Sequence, residues 1–255
     1  MGYQDTFQRV ETKYLLNKQQ RQRLLWAVSP YMELDAYGRT LISNIYYDTP
    51  DYALIRRSLE KPVYKEKLRL RSYGVAAEDS TVFIELKKKY KGIVFKRRTG
   101  AKELEAMAYL NRGRPLQERS QITEEIDYFK KFYGELNPVM VISYEREAFF
   151  CKDYPDLRIT FDDTILWREE ELSLRERAYG EPLLQEGQTL LEIKSAFAIP
   201  MWLTSNLSEQ GIFPTSFSKY GNAYLQKMQR FRAMQSERKQ FACTKIDIGQ
   251  ERKAQ

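Results

Sequence analysis

The 255-residue chain contains no histidine and only two cysteines, Cys151 and Cys243. Without imidazole there is no Ser-His-Asp or Cys-His pair, no His-built zinc centre and no histidine proton shuttle. The cysteines lie far apart, with no C-x-x-C or zinc-type spacing. That argues against a disulfide framework and fits a reducing compartment. No apolar run approaches the length of a membrane span, and Met1 to Phe7 lacks the basic-then-apolar signature of a signal peptide. A Gly-x-x-x-x-Gly-Lys phosphate loop is also missing. The expectation is a cytoplasmic protein without a transmembrane segment, a membrane partner remaining open. Any catalysis must then run on carboxylates, ammonium and guanidinium groups, hydroxyls and at most a hard metal. Phosphoryl transfer suits that set, because the protein's task there is mainly positioning and charge stabilisation.

What is present is charge of one sign. The formal net charge is +7 and the isoelectric point about 9.2, which favours an anionic partner: nucleic acid, a phosphorylated metabolite, polyphosphate or an acidic membrane surface. Hydrophobic residues make up 42% and aromatics 13%, enough for a sizeable core. One domain over residues 1–235 is expected, followed by a polar, charged tail at 236–255 that reads as mobile.

Strands are expected at Thr6–Leu16, Ile42–Tyr47, Tyr64–Tyr73, Thr81–Tyr90, Ile93–Arg98, Val139–Phe149, Leu157–Asp162 and Leu190–Ser195. Asn17 can cap a first helix, and Thr49 with Pro50 at the first helical position can start a short one through Leu59. Further helical spacing covers Ala101–Leu110, Ile122–Tyr133, Pro200–Glu209 and Lys219–Met234. Many strands without regular βαβ alternation imply an α+β fold with a predominantly antiparallel sheet.

Several strands alternate charged and apolar residues: Lys67-Leu68-Arg69-Leu70-Arg71, Phe83-Ile84-Glu85-Leu86-Lys87, Arg158-Ile159-Thr160-Phe161-Asp162 and Leu191-Glu192-Ile193-Lys194. Successive strand side chains point to opposite faces, so the charges share one face. Either that face meets water, as in an ordinary half-buried sheet, or the sheet is an antiparallel barrel of about eight strands with a charged interior and flanking α-helices. Unpaired, such an interior would repel itself: two unit charges 4 Å apart interact by about 4 kcal/mol at an effective dielectric near 20. It must stay wet, carry its own carboxylates or hold a polyanion. In the run Lys87 to Lys91, alternation sends Lys88 away from Lys87 and Lys89, so no nucleic-acid patch is expected.

Arg9-x-Glu11-x-Lys13-Tyr14, Tyr46-Tyr47-Asp48-Thr49-Pro50, the two long charged strands, Tyr144-x-Arg146, Leu191-Glu192-Ile193-Lys194 and Ser216-Phe217-Ser218-Lys219-Tyr220 occur in this order. Together they resemble the VTC domain, the polyphosphate polymerase branch of the triphosphate tunnel metalloenzymes. The resemblance implies ATP-dependent elongation of polyphosphate from a polyphosphate or pyrophosphate primer, with Mn²⁺ or Mg²⁺. Carried over, it makes Lys13, Arg69, Arg71, Lys87, Arg146 and Lys219 phosphate ligands. Arg9, Lys194 and Ser218 would join them, with Lys96 or Arg97 from the next strand. Glu192, with Glu11, would hold the metal, and Asp162 would pair with a basic residue or join them there. The hydrolase and cyclase branches carry Glu-x-Glu-x-Lys on the first strand. Arg9 in place of the first Glu lowers the case for a tripolyphosphate or nucleotide triphosphatase. A non-catalytic polyphosphate- or RNA-binding module is the alternative from outside the enzymes.

Overall fold

The computed structural model describes residues 10–196 and 198–251, with side chains to residue 236. Among these residues, period-2 alternation is realised as ten strands: β1 (Val10–Leu16), β2 (Met32–Leu34), β3 (Thr40–Asp48), β4 (Tyr64–Tyr73), β5 (Thr81–Tyr90), β6 (Ile93–Lys102), β7 (Asn137–Cys151), β8 (Arg158–Arg168), β9 (Glu181–Pro182) and β10 (Thr189–Ser195). All pairings are antiparallel, and the main path runs β1-β10-β8-β7-β3-β4-β5-β6. The α+β class is as expected, but the barrel is not closed: among the described residues no ladder joins β1 to β6. The sheet instead curls until Glu11 on β1 reaches Lys87 on β5, Nζ to carboxylate 3.2 Å.

Among the described residues six helices cover this sheet: α1 (Lys18–Val28), α2 (Ala53–Leu59), α3 (Glu103–Arg112), α4 (Gln121–Tyr133), α5 (Met201–Glu209) and α6 (Lys219–Glu251). The apolar partners in the alternation form the outer face. Leu68, Leu70, Ile84 and Leu86 are wholly buried with Ala106, Ile126 and Phe129 of α3 and α4. Ile159, Phe161, Leu191 and Ile193 are buried with Leu24, Val28, Leu203 and Leu207 of α1 and α5. Each fully buried side chain of this size contributes about 1.5–3 kcal/mol, so the outer face fixes which way the charges point. A third cluster, with Ile42, Tyr46, Ile142, Trp167 and Tyr220, lies on the inner face against α2 and α6.

Asn17 caps α1 as expected, its side chain accepting from Gln20 N at 2.8 Å while Gln20 answers in kind. The start of α2 differs from the sequence expectation. Residues 49–52 form a turn, Tyr52 takes a left-handed φ of 61°, and the helix begins at Ala53. Thr49 Oγ1 still accepts from Ala53 N at 2.8 Å. The stronger anchor is Asp48, fully buried, which accepts from Leu54 N, Ile55 N and Tyr220 OH at 2.8–3.0 Å. One carboxylate therefore ties the end of β3 to the starts of α2 and α6. The last helix also runs past the expected Met234, to Glu251, so the expected boundary at 235 falls inside α6.

Asp48→Ala strands two helix N–H groups and a tyrosine hydroxyl, and is expected to cost roughly 2–4 kcal/mol, read as a lowered urea-denaturation midpoint. Tyr220→Phe removes one of those bonds and should cost about 1 kcal/mol; equal losses for the two variants would contradict this anchoring role.

Candidate active site

Strand register decides which charges meet. Lys67 lies opposite Lys87 and Lys87 opposite Lys96, while Arg69 lies opposite Glu85 and Glu85 opposite Arg98. Lys13 lies opposite Glu192 and Glu11 opposite Lys194, and Arg146 lies opposite Asp162. The curled inner face thus carries Glu11 and Lys13 from β1, Lys67, Arg69 and Arg71 from β4, and Glu85 and Lys87 from β5. Lys96, Arg146 and Asp162 join from β6, β7 and β8, with Glu192 and Lys194 from β10 and Lys219 from the first turn of α6. Among these residues cations outnumber carboxylates nine to four.

Each carboxylate holds several cations. Glu85, wholly buried, receives Arg69 at 2.7 Å, Lys96 at 2.8 Å and Arg71 at 3.7 Å. Asp162, also wholly buried, takes two bonds from Arg146 (2.5 and 2.7 Å) and one from Lys219. Glu192 is ringed by Lys194 (2.9 Å), Lys219 (3.3 Å), Lys13 (3.4 Å) and Arg146 (3.5 Å). Lys13 Nζ also lies 3.3 Å from Glu11, so one ammonium sits between two carboxylates on adjacent strands. Arg71 donates to Asn44 Oδ1 (2.9 Å) and to Tyr144 OH (3.1 Å).

Burial alone would raise these carboxyl pKa values, but the cations outweigh it. Glu192 is held well below the usual range by Lys194, Lys219, Lys13 and Arg146. Glu85 is held there by Arg71, Arg69 and Lys96, and Asp162 and Glu11 are lowered in the same way. Burial also pushes the Tyr144 hydroxyl up, yet Arg71, Arg146 and Lys219 bring it down to about 8.

Of the residues singled out in the sequence, Lys13, Arg69, Arg71, Lys87, Lys96, Arg146, Lys194, Lys219, Glu11 and Glu192 come together here. Arg97 does not. Its neighbour Lys96 faces inward, so Arg97 turns outward to Glu125 of α4, where Lys88 also pairs. Ser218 lies at the start of α6, its hydroxyl accepting from Gly221 N at 3.0 Å. A Cβ on Gly221 would meet Ser218 Oγ at 3.1 Å and Leu59 at 3.2 Å, so glycine permits this close approach. Arg9 lies outside the described residues.

Sequence reasoning gave no site role to Lys67, Arg98, Asn44, Tyr144 or Thr160. Lys67 was legible, since it shares its face with Arg69 and Arg71. Arg98 needed the β5–β6 register; its guanidinium lies 3.4 Å from the Phe83 ring centre. Asn44 and Tyr144 carry no charge to mark them. Thr160, opposite Glu192, has a buried hydroxyl without a hydrogen-bond partner among the described residues.

Two surface clefts lie apart from this interior, one of about 400 Å³ beside α3 and one of about 450 Å³ beside Arg21 and Arg39. Among the described residues no cluster of three or more His, Cys, Asp or Glu is placed to hold a metal, and no helix is long and apolar enough to cross a membrane.

The sequence profile of the VTC domain matches residues 8–228. Among solved structures, a candidate adenylate cyclase from Bacillus halodurans superposes with a TM-score of 0.54 at 14% identity, covering 84% of this chain and 95% of its own. A second candidate adenylate cyclase, from Vibrio parahaemolyticus, gives 0.45 at 12% identity, over 85% of this chain and 98% of its own. The first likeness establishes the shared fold. No curated protein sequence matches the chain.

Carboxyls depressed in the folded state stabilise it above their unfolded pKa of about 4 and lose that contribution as pH falls toward their folded values. The thermal midpoint should be steady from pH 7 to 5 and fall below about pH 4. Asp162→Asn breaks a buried pair, at a cost of roughly 3–5 kcal/mol, and should make the acid decline shallower. Identical acid slopes would remove Asp162 from this balance.

Proposed function

The chain belongs to the VTC domain family, and from that premise we propose that it is an ATP-dependent polyphosphate polymerase. It would transfer the γ-phosphoryl group of ATP to the end of a polyphosphate or pyrophosphate primer and release ADP. The observation that carries this reading is the curled inner face, where cations exceed carboxylates and each carboxylate acts as a local counter-ion. Phosphate oxygens supply the same charge in a longer, repeating form, and can take over cations now shared among Glu11, Glu85, Asp162 and Glu192.

The terminal phosphate attacks the γ-phosphorus in line, a P–O bond forms to the primer, and the bond to ADP breaks. The nucleophile is already ionised near neutral pH, so a chain without histidine needs no general base. Arg69, Arg71 and Arg146 offer planar donor pairs to equatorial oxygens, while Lys13, Lys87, Lys96, Lys194 and Lys219 act as point charges. Arg71 and Arg146 are pre-aimed, the first by Asn44 and the second by Asp162. Ser218 brings the N-terminus of α6 to the same interior, where free N–H groups favour an anion.

Divalent-metal chemistry fits this donor set. The Lys13 ammonium lies between Glu11 and Glu192, so a metal would share these carboxylates only as Lys13 turns to phosphate; Mg²⁺-type ions are commonly held by one or two carboxylates completed by substrate phosphates. Glu192 and Glu11 would hold Mn²⁺ or Mg²⁺ there, supplying charge neutralisation of the phosphates.

Purified protein given ATP, Mn²⁺ and pyrophosphate should make long-chain polyphosphate and ADP. Arg146→Ala and Lys219→Ala should each reduce kcat by about 10²–10³, with Glu192→Ala comparably impaired. Arg97→Ala, on the opposite face, should stay near wild type. Inorganic phosphate without polymer would instead identify a hydrolase, and polyanion binding without turnover a binding module.

A further inference from the structure

Lys67 differs from the cations around it. Lys13, Lys87 and Arg69 each hold a carboxylate: Glu11 and Glu192, Glu11, and Glu85 respectively. Among the described residues Lys67 forms no such pair. Its ammonium donates to Ser218 Oγ at 2.8 Å, and that hydroxyl already accepts from Gly221 N to cap α6. Lys67 therefore points at the positive end of a helix. The charged groups that act on it most strongly are all cations: Lys13 from β1, Lys87 from β5, and Lys65 and Arg69 from its own strand, with Glu11 bound to Lys13 and Lys87 beyond them. Loss of hydration and these four neighbours lower its pKa from 10.5 to about 7.

Taking from the proposed function only that a phosphate chain enters the interior, we infer that Lys67 receives its counter-ion from the ligand, so that anion binding is coupled to uptake of one proton. The exchange balances simply. The neutral amine takes a proton from solvent and becomes an ammonium beside a phosphate oxygen, with no other bond made or broken. The coupling has a direction. Below about pH 7 the ammonium is already present, and binding takes up no proton through this group. Above it, each bound chain brings a proton, and affinity falls by up to tenfold per pH unit until the bound-state pKa is passed.

Calorimetric titration of the full chain with tripolyphosphate at pH 8, in two buffers of different ionisation enthalpy, counts the protons taken up. Wild type is expected to take up more protons than Lys67→Met, approaching one per bound chain. Lys67→Arg, whose guanidinium stays charged, should bind without that extra proton and with a flatter decline in affinity between pH 7 and 8.5. The arginine variant keeps the measurement decisive if the methionine variant unfolds. Equal proton uptake in wild type and Lys67→Arg, with binding intact, would overturn this inference alone. Absence of tripolyphosphate binding by wild type at any pH would overturn it together with the proposed function.

Discussion

Like charges cannot be gathered inside a protein without something to hold them there. Two cations 4 Å apart repel by about 4 kcal/mol even at an effective dielectric near 20, and this fold turns nine of them toward one another. Four carboxylates make that possible, each placed where several cations can reach it at once. Glu192 serves four and Glu85 three. The outer-face cores supply the force that keeps the arrangement inward, because a slip of one residue in β4 would exchange Leu68 and Leu70 for Arg69 and Arg71.

Ion pairs of this kind contribute little net stability, since desolvation cancels much of the attraction. Their value here is positional. Asp162 fixes the plane of Arg146 through two bonds, and Asn44 fixes Arg71 through one. The first turn of α6 is brought into the same space by Asp48 through Tyr220, which also stacks on Tyr46 with ring centres 4.6 Å apart. A single buried aspartate thus links the framework to the residue pair Ser218 and Lys219.

The long strands were legible because their alternation is nearly unbroken, and the shared face of their charges followed from the same parity, while the individual site roles came from the resemblance. Where parity could not be counted, the sequence was silent. Lys96 and Arg97 could not be separated without the turn between β5 and β6. That turn is the two-residue loop Lys91-Gly92, with φ of 48° and 87°, between paired Tyr90 and Ile93, and it puts Lys96 opposite Lys87. The strands β2 and β9, of three and two residues, are too short to leave a pattern. On β8 a left-handed Thr164 sits where the pairing with β7 slips, so the strand continues six residues beyond the expected Asp162. The start of α2 was misplaced because Asp48, rather than the nearer Thr49, takes most of its first N–H groups.

Among the described residues the edge between β1 and β6 is open, which changes what the enclosure would mean for the polymer of the proposed function. A sheet hydrogen-bonded all the way round would oblige a long chain to pass end-first. Among the described residues the contact from β1 to β5 is laced by a side-chain pair, Glu11 with Lys87, and no backbone ladder joins β1 to β6. On the proposed function, a seam of that kind would impose no topological need for threading: a phosphate chain could be laid in or shed sideways.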